Sequence, residues 1–292
     1  MIKRHTPAFK GQIKDLFLLK EGSNFLDLTL GDGGHTQEAL EAGSNVVSLD
    51  VDPESIQRAR QFVGDKYLKS GQWQIENLNF NRISEITNKY PQFDAVIADL
   101  GTSQYHLEKV ERGFSFESQA TLDMRLDPNL GVTAADLLAA LSEKEIKNLL
   151  EIVDESYAWK IAKAIINARR ITPLITTAQL QDLILQVKPR VPGKSHPATK
   201  TFMALRMAVN LERESLSTML ENLPNLIKKN GRIGIISFHS GEDRIVKKAF
   251  NQWFNSGVCI PVTEEILVPT NDEIINNQKI RSAKLRICQK NQ

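Results

Sequence analysis

The sequence predicts an α/β fold in which a mostly parallel sheet is interrupted by an all-helical insert and then resumed. Three observations predict it. Short apolar runs alternate with amphipathic segments from Asn24 to Leu100. Helical periodicity with no strand signal then runs from about Thr133 to Val187, and an apolar strand returns at Arg232–Phe238.

The strands of the first half are expected at Phe25–Leu30, Val46–Asp50, Trp73–Asn77 and Phe93–Leu100. Helices are expected between them at about Thr36–Glu41, Pro53–Val63 and Asn81–Lys89, the second opening with Pro53 and Glu54, both favourable in a first helical turn. The insert reads as Ala134–Ala140, Glu143–Val153, Tyr157–Ala168 and Ala178–Val187, with Ser142 and Thr177 as N-caps. A Pro-rich connector, Lys188 to Pro197, leads into one long amphipathic helix from about Thr199 towards Leu223, ended near Pro224. After the strand Arg232–Phe238 come a helix from about Glu242 to Phe254 and a β-like run near Ala283–Cys288.

At 292 residues, 41% hydrophobic and 25% charged, the chain has the composition of a globular protein rather than a disordered one. No basic segment followed by an apolar run opens it, and no apolar stretch approaches the roughly 18 residues of a membrane span. A cytoplasmic protein with no membrane partner is therefore expected. Cys259 and Cys288 lack metal-ligand spacing and are too few for a disulfide framework, so they read as reduced and structural, and no metal is expected. A homodimer is compatible with the sequence.

The net charge of +2 hides an asymmetry. Between Ser156 and Leu211 the only acid is Asp182, among Lys160, Lys163, Arg169, Arg170, Lys188, Arg190, Lys194, Lys200 and Arg206; after Glu273 the tail adds Lys279, Arg281, Lys284, Arg286 and Lys290. Such clustering is the footprint of phosphate docking, because each neutralised phosphate releases counterions. A set of solvated helix faces leaves the same pattern.

The first strand runs into Gly31-Asp32-Gly33-Gly34-His35, where a Rossmann-like fold meets its cofactor. Glycine suits a sharp turn that a ligand approaches closely, although a βα turn without a ligand also uses it. Asp50 ends the second strand about nineteen residues further on, close to where an acid that binds ribose hydroxyls sits in this architecture. Together the two features favour a nucleoside cofactor. Thr36 stands where the third glycine of a dinucleotide fingerprint would fall, which argues against NAD and towards S-adenosyl-L-methionine. That molecule has no pyrophosphate, so the helix N-terminus can face its carboxylate. Phe80 fits either an adenine-packing role or the core. Asp99 emerges from the apolar run Ala95-Val96-Ile97-Ala98 at the carboxyl end of the fourth strand, where open α/β sheets place ligands; a surface carboxylate is the alternative.

Several segments together resemble one family. They are Gly31-Asp32-Gly33-Gly34-His35-Thr36, Glu111-Arg112-Gly113-Phe114-Ser115-Phe116, Leu122-Asp123-Met124-Arg125, His196-Pro197-Ala198-Thr199-Lys200-Thr201-Phe202, the run from Ile236 through Ser237-Phe238-His239-Ser240-Gly241-Glu242-Asp243-Arg244 to Lys247, and Arg281-Ser282-Ala283-Lys284-Leu285-Arg286. In order and content they resemble the bacterial 16S ribosomal RNA cytosine-N4 methyltransferases of the RsmH, or MraW, type. The resemblance implies a Rossmann-like class I methyltransferase domain over residues 1–110 and 206–292, interrupted by a helical substrate-recognition domain over 111–205. It implies S-adenosylmethionine as cofactor, bound by Gly33, Gly34, His35, Asp50, Phe80 and Asp99, and a cytidine in the decoding region of 16S ribosomal RNA as target. The family's further contact, a Gln, is replaced here by His106, which can still hydrogen-bond and is the seventh expected cofactor contact, and the Pro before it is replaced by Tyr105. Thr121, Gly241 and Asp154-Glu155-Ser156-Tyr157 also depart from the family's usual residues.

Asp99 is the expected catalytic group, holding the amine and accepting or relaying its proton, with service to the cofactor alone as the alternative. His239, at the end of a strand, is either a second site residue or structural, and Ser240-Gly241-Glu242-Asp243 reads as a capped helix start. Arg112, Arg125, His196, Lys200 and Arg206 are the expected RNA contacts, from small-subunit RNA or the small subunit itself. Two other readings remain at this level: methylation of a small molecule or protein, and a cofactor-sensing RNA-binding module without turnover.

Overall fold

The computed structural model describes residues 6–103, 105–106, 109–116 and 119–291. The chain forms two compact units, Met1–Ser103 with Arg213–Gln292, and Gln104–Glu212.

The first unit is built on a seven-stranded sheet. Its strands are β1 (Asn24–Asp27), β2 (Asn45–Asp50), β3 (Trp73–Asn77), β4 (Phe93–Asp99), β5 (Ile227–Ser237), β6 (Cys259–Pro261) and β7 (Lys284–Lys290), in the order β3-β2-β1-β4-β5-β7-β6. The first five run parallel; β7 is antiparallel to β5, and β6 to β7. Apolar residues fill both faces, as parallel strands covered by helices require. Leu26, Val47, Val96, Ile233 and Ile235 share one core with α10 (Glu212–Leu226) and α11 (Ser240–Asn255). Phe25, Val46, Ala95, Ile97 and Ile236 share the other with α1 (Ile13–Leu16), α2 (Gly34–Glu41) and α3 (Pro53–Val63). Strand order reverses at β1 and β4, and ligands bind outside the carboxyl ends of strands at such a reversal.

Several elements differ from the expected ones. β1 ends at Asp27, and the segment after Asn79 is a 3-10 helix, Phe80–Ile86, not an α-helix. β5 begins five residues earlier than expected, directly after α10, and Pro224 lies inside the last turn of that helix, not at its end. The short elements α1, α4 (Lys66–Lys69), α12 (Asn271–Asn276) and β6 have too few residues to show a period. Cys259 and Cys288 are buried free thiols on the neighbouring strands β6 and β7.

The second unit packs α5 (Ala134–Ala140), α6 (Glu143–Glu151), α7 (Ala158–Arg169), α8 (Thr177–Val187) and α9 (Thr199–Val209) around a core that includes Leu138, Ile146, Ile161, Ile165, Leu180 and Phe202. Capping boxes open three of these helices: Thr133 with Asp136, Ser142 with Glu145, and Thr176 with Gln179. The cap of α8 is thus Thr176; Thr177 is buried, and its hydroxyl accepts the Ala120 N–H. The single helix expected from Thr199 to Leu223 is broken in two. Leu211 adopts φ 49°, and Asn210 turns inward to accept the Leu126 N–H at 2.7 Å and donate to the Met124 carbonyl at 2.8 Å. Those bonds draw the chain up to Glu212 into the helical unit.

Gly234 in β5 marks a close approach: a Cβ there would stand 2.3 Å from Cζ of Phe17. Gly234→Ala is expected to displace Phe17 and destabilise the first unit by about 1–3 kcal/mol, read as a lower unfolding midpoint in urea. An unchanged midpoint would show that Phe17 moves aside freely.

Candidate active site

The carboxyl ends of β1 to β4 carry the residues expected at the site, and a line of hydrogen bonds links the four strands. Trp73 Nε1, at the start of β3, can only donate, and it gives its proton to Ser48 Oγ on β2 at 3.0 Å. Ser48 Oγ lies 2.7 Å from Thr36 Oγ1 on α2, and Thr36 donates to Asp27 Oδ2 on β1 at 2.7 Å. Each hydroxyl has one proton, so Ser48 donates to Thr36 and the whole line points at Asp27. The other oxygen of Asp27 accepts the Thr29 N–H at 3.1 Å, and Thr29 Oγ1 accepts the Asp99 N–H at 2.6 Å. Asp27, Thr36 and Ser48 are buried.

Above this line lies the glycine turn. Gly31 and Gly33 have φ of 51° and 79°, which glycine adopts without strain. A Cβ at Gly33 would stand 2.8 Å from Val63 Cγ2, and one at Gly34 would stand 2.7 Å from Pro7 Cγ. Packing against the protein itself therefore accounts for Gly33 and Gly34. Asp50 ties the turn to β2: its Oδ2 accepts the Gly31 N–H at 2.8 Å and its Oδ1 the Asp52 N–H at 2.9 Å. Asn77, ending β3, donates to the Asp50 carbonyl at 2.9 Å, and Phe80 follows three residues later, half-buried against the sheet core.

His35 opens α2 and is buried, with Nε2 3.4 Å from Asp99 Oδ2. Burial alone would lower its pKa; Asp99, with Asp27 and Glu38, outweighs burial and holds the imidazole above its ordinary value. Burial pushes the Asp27 carboxyl up, against the pull of His35, Thr36 and Thr29. Among the described residues, neither ring nitrogen of His35 nor Asp99 Oδ1 makes a hydrogen bond, although all three atoms are buried. Buried polar atoms in a native site are normally satisfied, so a ligand with its own donors fits here.

His239 caps a helix through one ring nitrogen. Its Nδ1 accepts the Glu242 N–H at 3.3 Å, making it the N-cap of α11 in place of the serine that follows it. Asp27, Thr29 and Ser48 were not singled out from sequence, and Thr36 was read there only as the departure from a dinucleotide fingerprint. Asp27 sits in an apolar run, and only the register Asp27↔Ser48 and Asp27↔Ile97 shows that it faces α2 under the turn.

In the helical unit His106 is buried, its ring 5.6 Å from that of Phe114. All five expected RNA contacts have partners within the chain, and two of them are paired with carboxylates. Arg125 grips Asp123 with Nε and Nη2, both at 2.8 Å, and donates through Nη1 to the carbonyls of Pro128 and Leu130. Arg206 pairs with Glu212 at 2.8 and 2.9 Å. A guanidinium neutralised in this way and bound to backbone carbonyls organises its own loop, and its charge is already compensated. Arg112 donates to the Leu126 carbonyl, and Lys200 to that of Asp154. His196 stacks on Phe116 with ring centroids 4.3 Å apart, and its Nε2 lies 2.8 Å from Arg190.

A family model described as the MraW methylase family matches residues 3–291. The chain belongs to this family. It is 38% identical to ribosomal RNA small subunit methyltransferase H 1 of Lachnoclostridium phytofermentans, over 97% of this chain and 80% of that one. It is also 38% identical to ribosomal RNA small subunit methyltransferase H of Caldicellulosiruptor saccharolyticus, over 98% of this chain and 99% of that one, and to that of Nostoc sp., over 98% and 92%.

The methylase site accords with its cofactor. The free Asp99 Oδ1 suits a donor or a cationic group, and Asp50 ends β2 beside the glycine turn, where an acid meets a ribose in this architecture. Thr36→Val is expected to cut the line between Ser48 and Asp27 and cost about 1–3 kcal/mol, since both partners stay buried; equal thermal stability of the variant and parent would count against the line. His35's folded pKa lies above its unfolded value of 6.5, so its contribution to stability is complete below pH 6.5 and is lost as pH rises through the folded value. Asp99→Asn is expected to lower the His35 pKa in an NMR titration of the imidazole. An unmoved pKa would show the two groups uncoupled.

Proposed function

We propose that the chain transfers the methyl group of S-adenosylmethionine to the exocyclic amine of a cytidine in the decoding region of 16S ribosomal RNA, acting in the cytoplasm on the RNA or on the small subunit. Family membership and the names of the relatives support an RNA methylase, and the position of Asp99 supports the chemistry. Its carboxylate stands at the end of β4 with Oδ1 unpartnered and its backbone fixed by Thr29.

The cofactor, when bound, supplies an electrophilic methyl group. Gly33, Gly34, His35, Asp50, Phe80 and Asp99 are the residues to hold it. The amine of cytosine is a weak nucleophile because its lone pair is delocalised into the ring, so alignment and proton removal are the protein's task. Asp99 Oδ1 accepts an amine N–H, orients the nitrogen lone pair and takes up the proton as the N–C bond forms. Orientation of this kind contributes as much as roughly 7–11 kcal/mol to lowering a barrier. His35 offsets the Asp99 charge from behind. No covalent link to the protein is involved.

The helical unit serves RNA recognition. Arg112, Arg125, His196, Lys200 and Arg206 are its expected contacts, with Arg125 and Arg206 also organising their own loops through Asp123 and Glu212.

The test is to incubate the protein with labelled S-adenosylmethionine and small ribosomal subunits or their RNA, digest to nucleosides and identify the product by mass spectrometry. N4-methylcytidine is expected, and Asp99→Asn is expected to lower kcat by roughly 10²–10⁴. Full turnover with unchanged cofactor affinity in that variant would remove Asp99 from the proton step. Cofactor binding with no label in any RNA would replace the enzyme by a cofactor-sensing RNA-binding module.

A further inference from the structure

The outer face of α7 has a composition that nothing in the methylase site explains. Trp159, Lys160, Lys163, Asn167 and Arg170 are exposed, while Ala158, Ile161, Ala162 and Ile165 are buried in the core of the helical unit. At about 100° per residue, the five exposed positions fall in one sector about 100° wide, opposite the buried ones. The sector extends from Trp159 to Arg170, about 16 Å along the axis.

Its chemistry is cationic and aromatic together. Trp159 is 51% exposed, against 1% and 8% for Trp73 and Trp253. Lys163 Nζ stands 5.1 Å from the Trp159 ring centroid, and Lys160 Nζ 5.4 Å from that of Tyr157. The helix contains no acid, and neither lysine nor Arg170 has an ion-pair partner among the described residues. These charges are uncompensated, unlike those of Arg125 and Arg206.

We propose that this face is an RNA-docking strip, with Trp159 stacking on an unpaired base and Lys160, Lys163 and Arg170 holding flanking phosphates. The proposal rests on the ribosomal RNA reading of the methylase and adds the surface that grips the substrate. Charge complementarity selects a polyanion, and the exposed indole selects one whose bases are accessible. Base–aromatic stacking beside a positive track is how single-stranded nucleic acid is held without sequence readout.

The tryptophan distribution supplies the test. With Trp73 and Trp253 buried, acrylamide quenching of the intrinsic fluorescence reports chiefly on Trp159. Small-subunit ribosomal RNA is expected to protect that component, and Trp159→Phe to abolish the protected signal. Trp159→Ala is expected to weaken RNA binding roughly tenfold and to raise the KM for RNA. Replacing Lys160, Lys163 and Arg170 together by Ala is expected to lower the slope of log K against log salt by about 2. Circular dichroism checks that α7 remains folded; if the alanine variants unfold, the quenching comparison between the parent and Trp159→Phe still decides.

RNA that binds and is methylated while Trp159 stays fully quenchable, with the variants binding as the parent does, would overturn the strip and leave the methylase intact. Protection that grows with protein concentration in the absence of RNA would overturn it in favour of self-association. RNA neither bound nor methylated by the parent would overturn the ribosomal RNA reading, and the strip with it.

Discussion

The buried carboxylate of Asp27 is the constraint around which the catalytic end of the sheet is organised. A charge withdrawn from water is costly unless it is hydrogen-bonded and faced by opposite charge. Asp27 accepts from Thr36 and from the Thr29 backbone, and His35 pulls its carboxyl down against burial. Each of these partners fixes something else. Thr36 locks the first turn of α2 to β2 through Ser48, Thr29 holds the backbone of Asp99, and His35 faces Asp99. Four strands are registered to one another by a polar line instead of by packing alone.

This arrangement gives the two acids different tasks. Asp27 has both oxygens occupied within the protein, whereas Asp99 keeps Oδ1 free at the rim. His35 faces Asp99, and both carboxylates favour its protonated form. The glycine turn has a comparable division. Gly33 and Gly34 leave room for Val63 and Pro7, while Gly31 is held open by Asp50. Conformational freedom and close packing thus explain the glycines before any ligand is considered.

Much of this was legible in the sequence. The parallel strands announce themselves as apolar runs because both faces are buried, and Asp50 and Asp99 end such runs. Ser142 was readable as a cap because Glu145 lies three residues on; at α8 the same pattern starts one residue earlier than expected, with Thr176 and Gln179. The break at Asn210 was not legible, since its cause is a tertiary bond to the 124–126 loop and the helical period continues on both sides. The ion pairs of Arg125 and Arg206 were not legible either: composition counts their charge but not the carboxylates of Asp123 and Glu212 that fold against them. Asp27 needed strand register to be seen.

The position of the helical unit within the chain bears on how the protein is made. β4 and β5 are neighbours in the sheet, yet residues 100–226 separate them. On the ribosome, β4 is complete while its partner is still unsynthesised, and it must wait with one edge unpaired, the condition under which strands aggregate. An insert with a core of its own can settle during that wait. Once it is folded, less free chain is left to close between the two strands, and loop-closure entropy falls with it.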